Sequence, residues 1–379
     1  MSSPTRRACL TRRNCLKGIA AGLAAGPLSA QVASGSSSEA SGKLAMPGLY
    51  RGRVVAVRNP SSIVGGRFQD QPIRQMIRKG MAELTGTDGG PGAWRQFFEP
   101  GDVVGIKVNP VGQPHVISSP ETVRAIIAGL NSAGVRNRDI IVYDRYRLQF
   151  LHAGFDKWLP EGVRTSYAVD DYDPIQQSIE GYDPDHYLDM PLTLAGYDAG
   201  NLAARRSYVA KVVTREINKL INLPVLKDHQ SAGVTLALKN LSHGSVNNVS
   251  RSHGTTTANA CGVFIPAVVS LPVIRNKAVL HILDGVKALY HGGPGANPQF
   301  VWEHQTIYFA TDPVALDRIG WKAIDEKRLS VGMPALAADK PDQFSTFLHR
   351  QPEHIELAGA MGLGEWDEKK IDLRRISLA

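Results

Sequence analysis

The sequence predicts an α/β fold, a mainly parallel sheet with flanking helices and with room for two lobes around a crevice. Three observations point there. Short apolar runs alternate with helical stretches, the order strand, helix, strand appears between residues 102 and 143, and several apolar runs end in polar residues. That last pattern is what parallel strands show where their carboxyl ends meet a ligand crevice. With 379 residues, 43% of them hydrophobic and 21% charged, the chain has ordinary globular composition and enough length to build a large core.

Residues 1–30 read as an export signal. Arg6, Arg7, Arg12, Arg13 and Lys17 stand without an acidic residue, an apolar run follows from Gly18 to Leu28, and small residues lead to Ala30. The stretch Thr11-Arg12-Arg13-Asn14-Cys15-Leu16-Lys17 resembles the bacterial twin-arginine signal, with Cys15 where that pattern usually has Phe. Such a signal implies the twin-arginine translocase as a partner during export and a periplasmic or secreted destination.

Cleavage after Ala30 would change the charge. The whole chain carries 43 Lys+Arg against 35 Asp+Glu, a net +8, and the signal holds five of the positive charges and none of the negative. The remainder has 38 basic and 35 acidic residues, about +3, with no long basic block, so nucleic acid is not the expected partner. No stretch reaches 18 uninterrupted apolar residues, so no stable membrane span is expected after cleavage. Of three cysteines only Cys261 remains, which excludes an internal disulfide and a four-thiolate iron–sulfur cluster.

Residues 31–49 are small and polar and read as a flexible linker. The domain proper is expected over 50–330. Arg53–Val57 is a β-branched run, Gln71–Leu84 a helix and Asp102–Val108 a buried strand. Ser119-Pro120-Glu121 opens a helix by its cap and its first-turn proline, Gly134 ends it, and Asp139–Tyr143 is the next strand. Residues 144–207, with acidic residues scattered among aromatics, read as an insertion or lid. Ile217–Leu226, Ala278–Leu283 and Thr306–Ala310 are further apolar runs, Pro313 opens a helix to about Lys327, and 331–379 reads as a C-terminal extension.

The chemistry is expected in Ile221–Gly254. Lys227 and His229 follow an apolar run and, two apart, share one side of an extended segment. Val234–Asn240 fits a strand or a helix, and Thr235 and Lys239 share a face in either. Asn240, His243 and His253 follow. The three histidines could converge on a metal, although no compact HxxxH or HExxH spacing supports one, and a His followed by Gly equally suits a loop approaching a ligand. Lys107 and Asn109 stand on one side of a strand end, and Asp284 marks the tip of another. The glycine-rich loop Leu289–Gly295 is either a ligand loop or a plain turn.

The segments Gly101-Asp102-Val103-Val104-Gly105-Ile106-Lys107-Val108-Asn109, Asn222-Leu223-Pro224-Val225-Leu226-Lys227-Asp228-His229, Gly233-Val234-Thr235-Leu236-Ala237-Leu238-Lys239-Asn240 and Asp312-Pro313-Val314-Ala315-Leu316-Asp317 together resemble the bacterial and archaeal family called domain of unknown function 362. The resemblance spans roughly residues 50–330 and names no reaction.

Two functions are consistent with these residues. One is an exported enzyme doing acid/base chemistry, isomerase- or racemase-like, on a small anionic molecule, with His229, Lys227 and Lys239 catalytic and with Lys107, Asn109, Thr235, Asn240, His243, His253 and Asp284 binding the ligand. The other is a periplasmic solute- or cofactor-binding protein using the same crevice. The identity of any metal or cofactor and the oligomeric state are not legible in the sequence.

Overall fold

The computed structural model describes residues 42–253, 259–337 and 349–379; the expected signal 1–30 and the first part of the linker lie outside them. The chain begins with β1 (Arg53–Arg58) and a small hairpin, β2 (Ile63–Val64) with β3 (Arg67–Phe68). Helix α1 (Asp70–Thr85) carries an acidic residue in its first turn and stops at Gly86, which takes the left-handed conformation (φ 71°) that glycine adopts without steric cost. Then come β4 (Val104–Lys107), α2 (Pro120–Ala133) and β5 (Ile140–Tyr146). Ser119 caps α2 by accepting the Thr122 N–H, Pro120 sits in the first turn and Gly134 (φ 102°) ends it. β4 and β5 pair in parallel, so the expected βαβ unit is present.

β6 (Arg164–Val169) pairs in parallel with β5 and extends the sheet, whereas β7 (Tyr182–Asp189) and β8 (Arg206–Ala210) form a separate antiparallel pair. The segment 144–207 therefore contributes one strand to the main sheet and is not a wholly separate insertion. Next are β9 (Lys219–Asn222), β10 (Val225–His229), β11 (Gly233–Val234), α3 (Leu236–His243) and α4 (Cys261–Val269). The single apolar run expected over Ile217–Leu226 is split at Pro224, which has no N–H to continue a ladder. β9 pairs with β4, while β10 moves on to pair with a later strand and with β11.

The chain closes with β12 (Ala278–Leu289), β13 (Val301–Ala310), α5 (Pro313–Ser330), α6 (His354–Ala360) and β14 (Asp372–Ser377). The main sheet runs β14-β1-β13-β12-β9-β4-β5-β6, with β10 alongside β12. β13 is antiparallel to both neighbours, and the other pairings along this path are parallel. Two expectations about the chain ends are corrected. The end of the supposed linker is packed, because Met46 is 1% exposed and its N–H donates to Arg275 O at 3.0 Å. The supposed C-terminal extension supplies β14, which pairs with β1 from Arg53–Asp372 to Arg58–Ser377 and covers a sheet edge that would otherwise show unpaired backbone.

Alternation along the strands sorts the core onto two faces. Val55, Val57, Val104, Ile106 and Val142 pack with Ile73 and Met76 of α1 and Ile126 and Leu130 of α2. Val54, Ala56, Ile141 and Tyr143 belong to the opposite layer with Leu238, Phe264, Leu316 and Ile355. No helix among the described residues is long and apolar enough to cross a membrane.

Candidate functional site

A cavity of about 450 Å³ opens at the carboxyl ends of β4 and β5, beside β10 and along α3. Nine of the expected site residues line it: Lys107, Asn109, Lys227, His229, Thr235, Lys239, Asn240, His243 and His253. Asp284 does not. Its side chain accepts the Ser119 N–H and hydroxyl at 2.9 and 2.7 Å and the Val286 N–H at 3.2 Å, so it ties β12 to the start of α2 and leaves the ligand-binding set.

Three features assemble this wall. Lys227-Asp228-His229 lie within β10 rather than beyond it, so Lys227 and His229 face the cavity while Asp228 points away, accepting the Gly293 N–H at 2.8 Å and pairing with Arg350 at 3.4 Å. A Cβ on Gly293 would lie 2.0 Å from Asp228 O, so the glycine-rich loop serves close backbone approach. The segment open to a strand or a helix is helical from Leu236, whose φ of 42° is unusual for a branched residue. Asp317 of α5 accepts the Ala237 and Leu238 N–H groups at 2.7 and 2.8 Å and holds that turn. Thr235 and Lys239 thereby come to one face.

Beneath the cavity runs a buried polar network. Asn240 Oδ1 accepts from Asn109 Nδ2 at 3.1 Å and from Lys107 Nζ at 3.4 Å, and Asn240 Nδ2 donates to Asn222 at 2.7 Å. Lys107 pairs with Asp144 at 2.5 Å and donates to Val108 O at 2.7 Å. Burial lowers its pKa, and Asp144 opposes that shift. Gly244 gives Lys107 its space, since a Cβ there would meet Lys107 Cε at 2.3 Å.

The two other lysines differ. Lys227 Nζ donates to Asn109 Oδ1 at 2.9 Å, to Pro294 O at 3.1 Å and to Val111 O. Its three donors are used, so it clamps two loops together; burial, with Lys239 nearby, pulls it down to about 7. Lys239 is 7% exposed, and its ammonium has no hydrogen-bond or ion-pair partner among the described residues. Burial lowers it to about 8. Arg145, also buried, is held by His243 O at 3.0 Å, Val246 O at 2.9 Å and Gln176 Oε1 at 3.0 Å.

His229 differs from its expected role. Its Nδ1 accepts the backbone N–H groups of Ser231 and Ala232, both at 3.1 Å, so the proton of the neutral ring sits on Nε2. Burial and then Lys239 hold its pKa well below 6.5. A ring fixed in this way is a neutral hydrogen-bond donor, not a general acid or base, and it has no lone pair on Nε2 for a metal. His243 reaches Ser242 Oγ at 3.0 Å and Ser252 Oγ at 2.9 Å through its two nitrogens, and burial keeps it well below 6.5. His253 Nδ1 lies 3.3 Å from Val249 O, and burial pulls it to about 3.

Asp144, Arg145, Gln176 and Leu194 also line the cavity and were not among the expected site residues. The polar end of β5 signals the first two. Gln176 and Leu194 sit in irregular chain with no periodicity to mark them.

The arrangement is a pocket lined by apolar side chains such as Val111, Leu194 and Val249 as well as polar ones, with surplus positive charge and, among the described residues, one ammonium without a partner. Among solved structures, a protein from Thermotoga maritima, a structural-genomics target, is similar to this chain at 11% identity, a TM-score of 0.38, 72% coverage of this chain and 61% of that one. The chain thus spans about 61% of the length of that protein. No curated protein matches the chain. The family model described as domain of unknown function (DUF362) matches residues 104–322, more than half of the chain and a span that includes every cavity residue named above, and the chain belongs to that family.

Proposed function

We propose that this chain is an enzyme of proton transfer acting on a small anionic substrate bound in the cavity. The observation that carries the reading is Lys239, a buried side chain on the cavity wall whose ammonium has no partner among the described residues. An unpaired buried charge is costly, and an anionic ligand removes that cost. Lys107, Lys227 and Arg145 surround the same space, and Asp144 is the one carboxylate among the described residues that line it, which supports an anion rather than a cation.

The roles divide by what each group has left to offer. Lys239, with its pKa near 8, exchanges a proton close to neutral pH and is assigned as the acid/base group. His229 is assigned as a neutral donor whose Nε2–H meets the substrate oxygen on which negative charge develops. Lys227 positions the loops at Asn109 and Pro294. Removal of a proton next to a carbonyl or carboxylate, as in isomerisation or racemisation, uses this pair of groups.

The test is solvent exchange. The full chain would be incubated in D2O with a panel of 2-hydroxy, 2-amino and 2-oxo carboxylates, and deuterium at the adjacent carbon followed by NMR. Exchange is expected with at least one member, falling about 100-fold or more in Lys239→Met. Binding without exchange across the panel would favour a solute-binding protein. Neither binding nor exchange would overturn both readings.

The proposed place of action is outside the cytoplasm, on the strength of Arg12-Arg13 and the apolar run behind them. A reporter fused after residue 30 should be exported, and Arg12→Lys with Arg13→Lys should block it. Unchanged export in the double variant would exclude the twin-arginine route.

A further inference from the structure

The proton-transfer reading leaves His243, His253 and Cys261 without a task. One ring nitrogen from each histidine and Cys261 Sγ lie within 4.8 Å of one another. The cysteine is fully buried behind the cavity wall that the two histidines line. We infer that these three residues form a binding site for a single thiophilic d10 cation, Cu(I) or Zn2+, with a remaining coordination position facing the cavity.

Hydrogen bonding around the two rings fits that use. His253 Nδ1 is 3.3 Å from Val249 O, a carbonyl that can only accept, so Nδ1 carries the proton and Nε2 keeps its lone pair. His243 Nδ1 is 3.0 Å from Ser242 Oγ, and that hydroxyl is 3.3 Å from Lys239 O, a chain that runs from ring N–H to hydroxyl to carbonyl. Both rings can then present Nε2, each oriented by a bond from its other nitrogen, as metal-binding histidines usually are. Ser252 Oγ lies 2.9 Å from His243 Nε2 and 3.9 Å from Cys261 Sγ, so the two ligand atoms flank one small hydroxyl. Its proton has a second acceptor, Val249 O at 2.7 Å, when a cation takes the ring lone pair.

His229 is a neighbour of this group but not a member. Its ring centroid is 5.4 Å from that of His253, yet its Nδ1 is occupied by two backbone N–H groups and its Nε2 holds the proton. Ligand type selects the metal: one thiolate with two imidazoles suits Cu(I) and Zn2+ and disfavours Mg2+ or Ca2+. On binding, the Cys261 S–H proton is released to solvent and the sulfur–metal bond forms. The thiolate then cancels the charge of Cu(I) but leaves one positive charge with Zn2+, beside a lysine and an arginine already on the wall. Cu(I) is therefore the tighter ion.

The site stands independently of the proton-transfer reading, and its test uses binding rather than turnover. The purified full chain would be titrated with Zn2+, with Cu(I) against a Cu(I) chelator, and with Co2+ as a spectroscopic probe. One equivalent per chain is expected, with a thiolate-to-cobalt charge-transfer band in the near ultraviolet. Cys261→Ser and His253→Ala should lose the site, Ser242→Ala should weaken it about 10-fold, and His229→Gln should leave it intact. Circular dichroism checks that the variants fold, and the cobalt band on the unaltered chain reports sulfur ligation without any variant. Absence of both the band and stoichiometric binding, or binding unchanged in Cys261→Ser, would overturn the inference.

Discussion

The Asp317 carboxylate accepts the Ala237 N–H at 2.7 Å, across 80 residues of sequence. With the matching bond to Leu238 at 2.8 Å, it caps the helix that carries Lys239 and stabilises a turn in which Leu236 is held at φ 42°. Asp317→Ala leaves two buried N–H groups without acceptors. The expected loss is about 2–4 kcal/mol, read from urea unfolding. A loss within error would show that the turn is stabilised elsewhere.

Lys239 and Lys227 should behave oppositely. Lys239→Met removes a buried charge with no partner among the described residues, so the variant is expected to be more stable by about 1–3 kcal/mol while losing anion binding. Lys227→Met leaves Asn109 Oδ1, Val111 O and Pro294 O without their donor and should cost about 3–5 kcal/mol. Thermal melts of the two variants decide this. Equal destabilisation would mean that Lys239 also has a structural partner.

His229 should not titrate near neutrality. Long-range ¹⁵N–¹H spectra are expected to show it as the Nε2–H tautomer, unchanged from pH 5.5 to 8, because burial and Lys239 hold its pKa well below 6.5. A midpoint between 6 and 7 would restore the general acid/base role.

Acid stability should depend on Asp183. Arg215 grips both its oxygens at 3.0 Å and holds its carboxyl well below the ordinary value. A depressed carboxylate contributes stability that is present above the unfolded value of about 3.9 and lost as pH falls through the folded one. Stability of the unaltered chain should therefore drop as pH falls below about 4, and Asp183→Asn should be less stable at pH 7 and flatter in acid. Parallel pH curves for the two proteins would refute this.

Much of the scaffold was legible because its causes are local. The Ser119 cap, Pro120 and Gly134 bound one helix, Pro313 opens another with Asp312 accepting the N–H groups of Val314 and Ala315, and β-branched runs mark the strands. The side-chain period of two also put Lys227 and His229 on one side, where the cavity lies.

Other outcomes depended on groups distant in sequence. Asp284 stands at the end of an apolar run like any crevice residue, but Ser119, 165 positions away, turns it into an internal brace. Lys227 and Lys239 have the same side chain, and only the arrival of Asn109, Val111 and Pro294 makes one a clamp, while the other has no such partner among the described residues. The sequence by itself determined which residues are charged and which face of each element they share, because periodicity and capping act within a few residues. The tertiary structure decided their protonation and partners, because desolvation and hydrogen bonding depend on which distant chain segments fill the remaining space.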